Sequence, residues 1–128
     1  MKLVLIGFTN MIKEYKLKPY PRRLWVAKNE NFDKVKKKFK LNSEDKTLTN
    51  KQINSLYDAI VLNVIDKKTK YSGYLVFITN NYTDSILVHE AAHVVFELYK
   101  DCSMIINNNM DQEPFCYLLT YIYKLLKK

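Results

Sequence analysis

The sequence lacks any apolar run long enough to span a membrane. A transmembrane helix needs roughly 20 consecutive apolar residues, and the apolar run nearest the start, Leu3–Phe8, is much shorter. That run also falls short of the ~7–15-residue apolar region of a secretion signal, and no small-residue cleavage site follows it. We therefore expect a soluble protein of the cell interior with no membrane partner, and Leu3–Phe8 is predicted to form a core strand or the start of a helix.

Cysteine is also scarce, and no repeat or low-complexity linker interrupts the chain. The two cysteines, Cys102 and Cys116, could pair or bind a metal, but without a secretion signal free buried thiols are the expectation. A chain of 128 residues is long enough to bury a hydrophobic core. Residues 1–128 are therefore predicted to form a single domain.

Acidic residues are few in the first part of the chain. Residues 1–50 contain 13 Lys and Arg against five Asp and Glu, whereas residues 51–128 contain eight of each kind. A basic surface of this sort can meet the phosphates of a nucleic acid or an acidic protein. Codon bias in an AT-rich genome would give a similar composition, because Lys, Asn and Ile are frequent while Gly and Ala are rare. Binding of nucleic acid or an acidic protein by residues 1–50 is therefore a hypothesis.

Capping signals and β-rich runs predict a mixture of helices and strands. Asn31 is expected to cap a basic helix that continues through Lys40, and Thr49 with Gln52 has the pattern of a capping box. The runs Ala59–Ile65 and Tyr71–Thr79 are rich in β-formers and are separated by a polar stretch of hairpin length. The chain is therefore predicted to be α+β, with a short mixed or antiparallel sheet.

The last third of the chain is predicted to be helical. A helix over Asp84–Lys100, with Thr83 or Ser85 as N-cap, is apolar almost all round and is therefore expected to lie in the middle of the domain. A polar loop leads to a second helix over Asp111–Leu126. The sheet is expected to pack on the first of these helices.

Histidine occurs twice, and both copies lie in one segment, His89-Glu90-Ala91-Ala92-His93. A four-residue spacing on a helix places both imidazoles on one face, so they can bind one ion. Glu90 then points about 100° round the helix, where a base can take a proton from a metal-activated water. The alternative is metal-free packing of both histidines in the core, but buried His and Glu side chains need partners. The segment therefore predicts one zinc ion, with Glu90 as the catalytic base.

A catalytic zinc needs a third protein ligand, which here must be a carboxylate or a thiolate. Glu113 is the preferred candidate, because it lies in the first turn of the last helix, which can fold back antiparallel to the histidine helix. Asp111 is the main alternative ligand. In that case Glu113 would not bind the zinc but would help to orient its ligands. Glu97 is a weaker alternative, since helical rise places it about 12 Å along the axis from His89.

Residues 89–93, followed by Glu113 in a later helix, resemble the zincin (HExxH) metallopeptidases of the minimal gluzincin type. The stretches Asp111–Leu119 and Arg22–Val26 are also similar to small uncharacterised phage-encoded peptidase-like proteins. The resemblance covers mainly residues 71–126. It implies a small zincin-like domain. The charge count and the position of the motif divide the chain into a basic half over residues 1–50 and a metal-site half over residues 51–128.

The resemblance also implies a role for each residue of the motif. His89, His93 and Glu113 would hold the zinc, and Glu90 would activate the water. The strand before the active-site helix usually forms the rim of the cleft and pairs with the substrate backbone, which points to Tyr74 and Val76. The short chain leaves little room for specificity pockets.

Two functions follow as hypotheses. The first is a zinc-dependent metallopeptidase-like hydrolase that acts on a peptide or protein substrate. The second is a non-catalytic zincin-fold structural or assembly protein of a phage particle, which contacts nucleic acid or an acidic partner through residues 1–50. The expected location is the cytoplasm, which is the host cytoplasm if the protein is phage-encoded, or the virion.

Overall fold

The structure is a computed structural model that describes residues 12–79, 82–105 and 112–128. These residues form five strands, four α-helices and one 3-10 turn, which confirms the predicted α+β class. In chain order the elements are β1 (Lys13–Lys16), β2 (Arg23–Lys28), α1 (Phe32–Lys38), β3 (Phe39–Lys40), the 3-10 turn (Asp45–Thr47), α2 (Asn50–Leu56), β4 (Ala59–Asp66), β5 (Ser72–Ile78), α3 (Asp84–Asp101) and α4 (Gln112–Lys127). Within these described ranges, no helix is both long and apolar enough to cross a membrane.

The chain divides into two compact units, Met1–Tyr82 and Thr83–Lys128. The first unit holds the sheet with α1 and α2, and the second holds α3 and α4. The division therefore falls after the last strand rather than at residue 50, where the charge balance changes. The predicted core segment Leu3–Phe8 lies outside the described residues.

The sheet has the strand order β1-β2-β5-β4-β3. Its central pair, β2 and β5, is parallel, and the other three pairs are antiparallel. The predicted hairpin is confirmed as β4 and β5, in which Ala59 lies opposite Ile78 and Ile65 opposite Ser72. The sheet is therefore mixed, one of the two predicted alternatives.

Both faces of the central strands are buried, as expected for parallel strands inside a sheet. Side chains alternate between the two faces of a strand. One face joins a hydrophobic cluster with side chains from α1 and α2, and its members include Trp25, Ala27, Phe32, Val35, Ile53, Leu75 and Phe77. The side chains in between are buried as well, namely Leu24, Val26, Tyr74, Val76 and Ile78.

The predicted helix caps in this unit are confirmed. The side chain of Asn31 caps α1, and Thr49 with Gln52 forms a complete capping box on α2. However, α1 ends two residues earlier than the prediction of a helix through residue 40. Phe39 leaves the helix because it pairs with Asp66 of β4, and its ring packs edge-on against Trp25 at 4.9 Å between centroids.

Asp66 fixes the turn of the β4–β5 hairpin. Its side chain is nearly inaccessible, with 3% exposed, and accepts a hydrogen bond from Lys38 Nζ at 3.0 Å. The backbone N–H groups of Lys68 and Thr69 donate to Oδ1 at 2.8 and 3.2 Å. Burial acts to raise the pKa of Asp66, but these three donors outweigh it and hold the pKa below its ordinary value.

Gly73 permits the close pairing of the two central strands. A Cβ atom at this position would collide with the backbone of Arg23, its partner on β2. We therefore expect Gly73→Ala to lower the free energy of unfolding by about 1–3 kcal/mol, because neither backbone can yield without disturbing a packed sheet. Urea denaturation would measure this loss. Ser72→Ala, one residue earlier on β5, serves as the control and should change stability by less than about 0.5 kcal/mol.

Asp66→Asn should destabilise the protein, and the loss should depend on pH. At about pH 7 we expect a loss of about 1.5–3 kcal/mol, since charge-assisted hydrogen bonds are removed. Because the folded pKa is lowered, this stability is present above the unfolded pKa of about 3.9 and is lost as the pH falls through the folded pKa. The difference between variant and wild type should therefore shrink at about pH 3. Asp58→Asn changes an exposed carboxyl and serves as the control, with an expected change in stability of less than about 0.5 kcal/mol at about pH 7.

Candidate metal site

The candidate site lies on α3, the first helix of the second unit. Thr83 caps this helix as predicted, and its hydroxyl accepts a hydrogen bond from the Ile86 N–H at 3.3 Å. One side of α3 is buried through Leu87, Glu90, Ala91, Val94, Val95, Leu98 and Tyr99. The expectation of a central helix is wrong for its other side, where Val88 and Phe96 are 43% and 54% exposed.

His89 and His93 lie on the exposed side of α3, with their Nε2 atoms 3.2 Å apart. The side chain of His89 is 69% exposed, so the alternative of two histidines packed in the core is wrong. Two nitrogens bound to one tetrahedral zinc at about 2.0–2.1 Å lie about 3.3–3.4 Å apart. The two ring nitrogens are therefore already spaced as two ligands of a single zinc ion.

A direct hydrogen bond between the two rings gives a similar distance. Their centroids are 4.8 Å apart and the ring planes are inclined at 79°. A ring-to-ring bond requires one Nε2 to carry a proton and the other to accept it. Metal binding and the hydrogen bond therefore use the same two atoms, and binding would replace the bond.

Glu90 lies between the two histidines in sequence, but its side chain is buried whereas that of His89 is exposed. Its side chain is only 7% exposed, and its Oε2 lies 3.8 Å from the Nε2 of His89. That distance is too long for a direct hydrogen bond, which agrees with a carboxylate beside an ion rather than bound to it. Burial raises the pKa of Glu90 above its ordinary value, although both histidines act in the opposite direction. A raised pKa suits a carboxylate that must accept and return a proton.

The predicted antiparallel return of the last helix is confirmed. Lys127 near the end of α4 forms an ion pair of 3.2 Å with Asp84 at the start of α3. Near the other end, the ring of Phe115 contacts those of Phe96 and Tyr99, at 5.1 and 5.4 Å between centroids. The beginning of α4 therefore runs alongside the second half of α3, downstream of His93.

Glu113 lies in the first turn of α4, two residues before Phe115, and is exposed. The structure does not bring it into a ligand cluster with the histidines. Over residues 12–79, 82–105 and 112–128, no three His, Cys, Asp or Glu side chains are close enough to hold a metal together. Glu97, half-buried on α3, joins no such cluster either, and Asp111 lies outside the described residues. The described residues therefore supply no third ligand beside His89 and His93.

The strand predicted to bind substrate has no free edge. Tyr74 and Val76 belong to β5, where they pair with Leu24 and Val26 of β2 on one side. On the other side they pair with Asn63 and Val61 of β4. Because both edges of the strand already carry ladder hydrogen bonds, β5 cannot accept a substrate as an additional strand. That prediction was wrong, because the strand that precedes the histidine helix in the chain need not lie at the edge of the sheet.

The cysteines do not add to the site. Both are free thiols, as predicted, but neither is buried, since Cys102 is half-buried and Cys116 is exposed. The interpretation of Cys116 as a core residue of the last helix was wrong, because the buried side of α4 consists of Ile122, Leu125 and Leu126.

Comparisons with family models, curated proteins and solved structures give no match. The resemblance to zincins therefore stays a prediction.

We expect the chain to bind one zinc ion through His89 and His93. In isothermal titration of the full chain with zinc, His89→Ala and His93→Ala should each weaken binding more than about tenfold, because a water molecule does not fully replace an imidazole lost from a tetrahedral site. Ser85→Ala, one turn earlier on α3, is the control and should bind as the wild type does. Glu113→Ala and Asp111→Ala, compared side by side, identify the third ligand. Unchanged affinity in both histidine variants would contradict the site.

Proposed function

We propose that this protein is a zinc-dependent hydrolase of the zincin type, acting on a peptide or protein substrate. His89 and His93 supply two ligands, Glu113 or Asp111 supplies the third, and Glu90 is the general base. The observation that carries the proposal is the 3.2 Å separation of the two Nε2 atoms, with a buried carboxylate 3.8 Å from one of them. An antiparallel helix pair that presents a carboxylate-bearing turn beside the motif helix supports the zincin-like fold.

The metal and the carboxylate have separate tasks in this proposal. Bound zinc would polarise the scissile carbonyl and lower the pKa of a water towards about 7. Glu90 takes the proton from that attacking water and returns it to the departing amine. Its burial favours the first step, because a carboxylate with a raised pKa is a stronger base. The return step remains possible because a general acid–base group works best when its pKa lies near the working pH. The exposed side of α3 leaves the imidazoles accessible to a substrate from solvent.

Glu90→Gln tests this division of tasks. The variant should keep zinc and lose hydrolysis by about 10²- to 10⁴-fold, because glutamine fills the same volume but cannot take up a proton. Zinc content by elemental mass spectrometry and cleavage of a fluorogenic peptide library would measure the two effects separately. Glu44→Gln makes the same chemical change at an exposed position in the first unit and should leave both unchanged. Equal hydrolysis by wild type and Glu90→Gln would overturn the mechanism.

A second candidate function is a non-catalytic zincin-fold module of a phage particle that binds nucleic acid or an acidic partner. It is favoured by four cationic side chains gathered at one end of the sheet, Lys16, Lys18, Arg22 and Arg23. Zinc-loaded protein that cleaves no peptide but shows steeply salt-dependent binding would favour this candidate over the hydrolase.

A further inference from the structure

A cleft opens at one end of the sheet in the first unit, far along the chain from the histidine motif. It forms where β1 ends and where β2 and β5 begin, and its volume is about 300 Å³. That volume is at the lower end of the about 300–1,000 Å³ range of small-molecule sites. The cationic and aromatic side chains that line the cleft are Lys16, Lys18, Tyr20, Arg22, Arg23 and Tyr71.

Every charged side chain that lines the cleft is a cation. Lys16 and Lys18 are exposed, and Arg22 is half-buried. Arg23 also forms an ion pair with Glu14 at 3.1 Å, outside the lining. Cations drawn together in a concave surface repel one another and favour an anionic ligand. The cleft therefore favours a negatively charged ligand, and both Arg and Lys are common binders of phosphate in proteins.

An aromatic ring lies beside these cations. The guanidinium of Arg23 lies 4.0 Å from the centroid of the Tyr71 ring. Although Arg23 covers one face, Tyr71 is still 46% exposed, so ring surface remains for a ligand. A planar base can stack on such a ring while its phosphate meets the neighbouring cations.

The loop that carries the cations is held in place by the fold. Leu17 is buried, with 1% exposed, and its N–H donates to the Arg22 carbonyl at 3.1 Å. The Tyr20 N–H donates to the Leu17 carbonyl at 2.7 Å. These two hydrogen bonds hold the backbone between Leu17 and Arg22, so a ligand of the cleft needs little reorganisation of this loop.

From this arrangement we infer that the cleft binds a nucleotide unit, with its phosphate on Lys16, Lys18 and Arg22 and its base on Tyr71. Charge alone would attract any polyanion. The exposed ring of Tyr71, with Arg23 on one face, favours a ligand that also has a flat group to stack on it. The unit can belong to a single-stranded nucleic acid or to a free nucleotide. The site is independent of zinc and of the proposed hydrolysis.

The test uses fluorescence anisotropy of the full chain with a labelled single-stranded oligo-dT of about 12 nucleotides. Tyr71→Ala should weaken binding by between about fivefold and about 150-fold, the usual effect of removing one stacking ring. Tyr71→Phe keeps the ring and should bind as the wild type does. Circular dichroism of both variants checks that the exposed substitution leaves the fold intact.

The lysines are tested by the dependence of binding on salt. Each phosphate contact to a single strand contributes about 0.7 to the slope of log affinity against log salt, so Lys16→Ala with Lys18→Ala should lower the slope by about 1.4. Lys37→Ala with Lys46→Ala removes the same charge from exposed positions outside the cleft. This control pair should lower the slope much less. Equal effects of the two pairs would overturn the inference, because binding would then follow net charge.

Two competitors define the ligand. Heparin carries charge without bases, so Tyr71→Ala should not weaken its binding. If Tyr71→Ala weakened heparin binding as much as oligo-dT binding, that result would count against base stacking. Thymidine monophosphate that displaces the strand in wild type but not in Tyr71→Ala would identify a free nucleotide as sufficient. Displacement only by longer strands would identify single-stranded nucleic acid. Oligo-dT binding that neither Tyr71→Ala nor the cleft lysine pair weakens would overturn the site altogether.

Discussion

The parallel pairing of β2 with β5 is the constraint on which the first unit depends. It requires Gly73 to approach the backbone of Arg23 without a side chain between them, and it buries both faces of the two strands. Because parallel strands begin at the same end of a sheet, the same pairing brings Arg23 and Tyr71 together. The cationic cleft is therefore a consequence of how the centre of the sheet is built.

The second unit follows a different constraint, the repeat of the α-helix. A spacing of four residues places His89 and His93 on one face, and their Nε2 atoms meet at 3.2 Å. The intervening Glu90 turns towards the buried side. The segment thus combines two accessible imidazoles with one desolvated carboxylate, and this difference in solvation between neighbours underlies the proposed roles of metal ligands and base.

Local signals predicted the parts of the fold that a few neighbouring residues decide. Asn31, Thr49 and Thr83 cap their helices as expected, because capping needs only a side-chain oxygen and an N–H two or three residues away. The hairpin of β4 and β5 followed from two β-rich runs and a short polar turn. The predictions for β5 as an edge strand and for Cys116 as a core residue were wrong, because both depend on what lies beside an element. Sequence patterns also missed the cleft, because Tyr71 is separated by about fifty positions in the chain from the cations beside it. The local signal for the cleft was the pair of prolines between Lys18 and Arg22.

The sequence by itself determined the helix that carries the histidines, their shared face and the position of Glu90 between them, because helical geometry depends only on spacing along the chain. Tertiary structure decided which strands have free edges, which side of α3 faces solvent, and where Glu113 lies relative to His93. It also decided that residues from β1, β2 and β5 line one cleft. Each of these depends on contacts between segments far apart in the chain, and the free energy of such contacts comes from burial and pairing that no local pattern records.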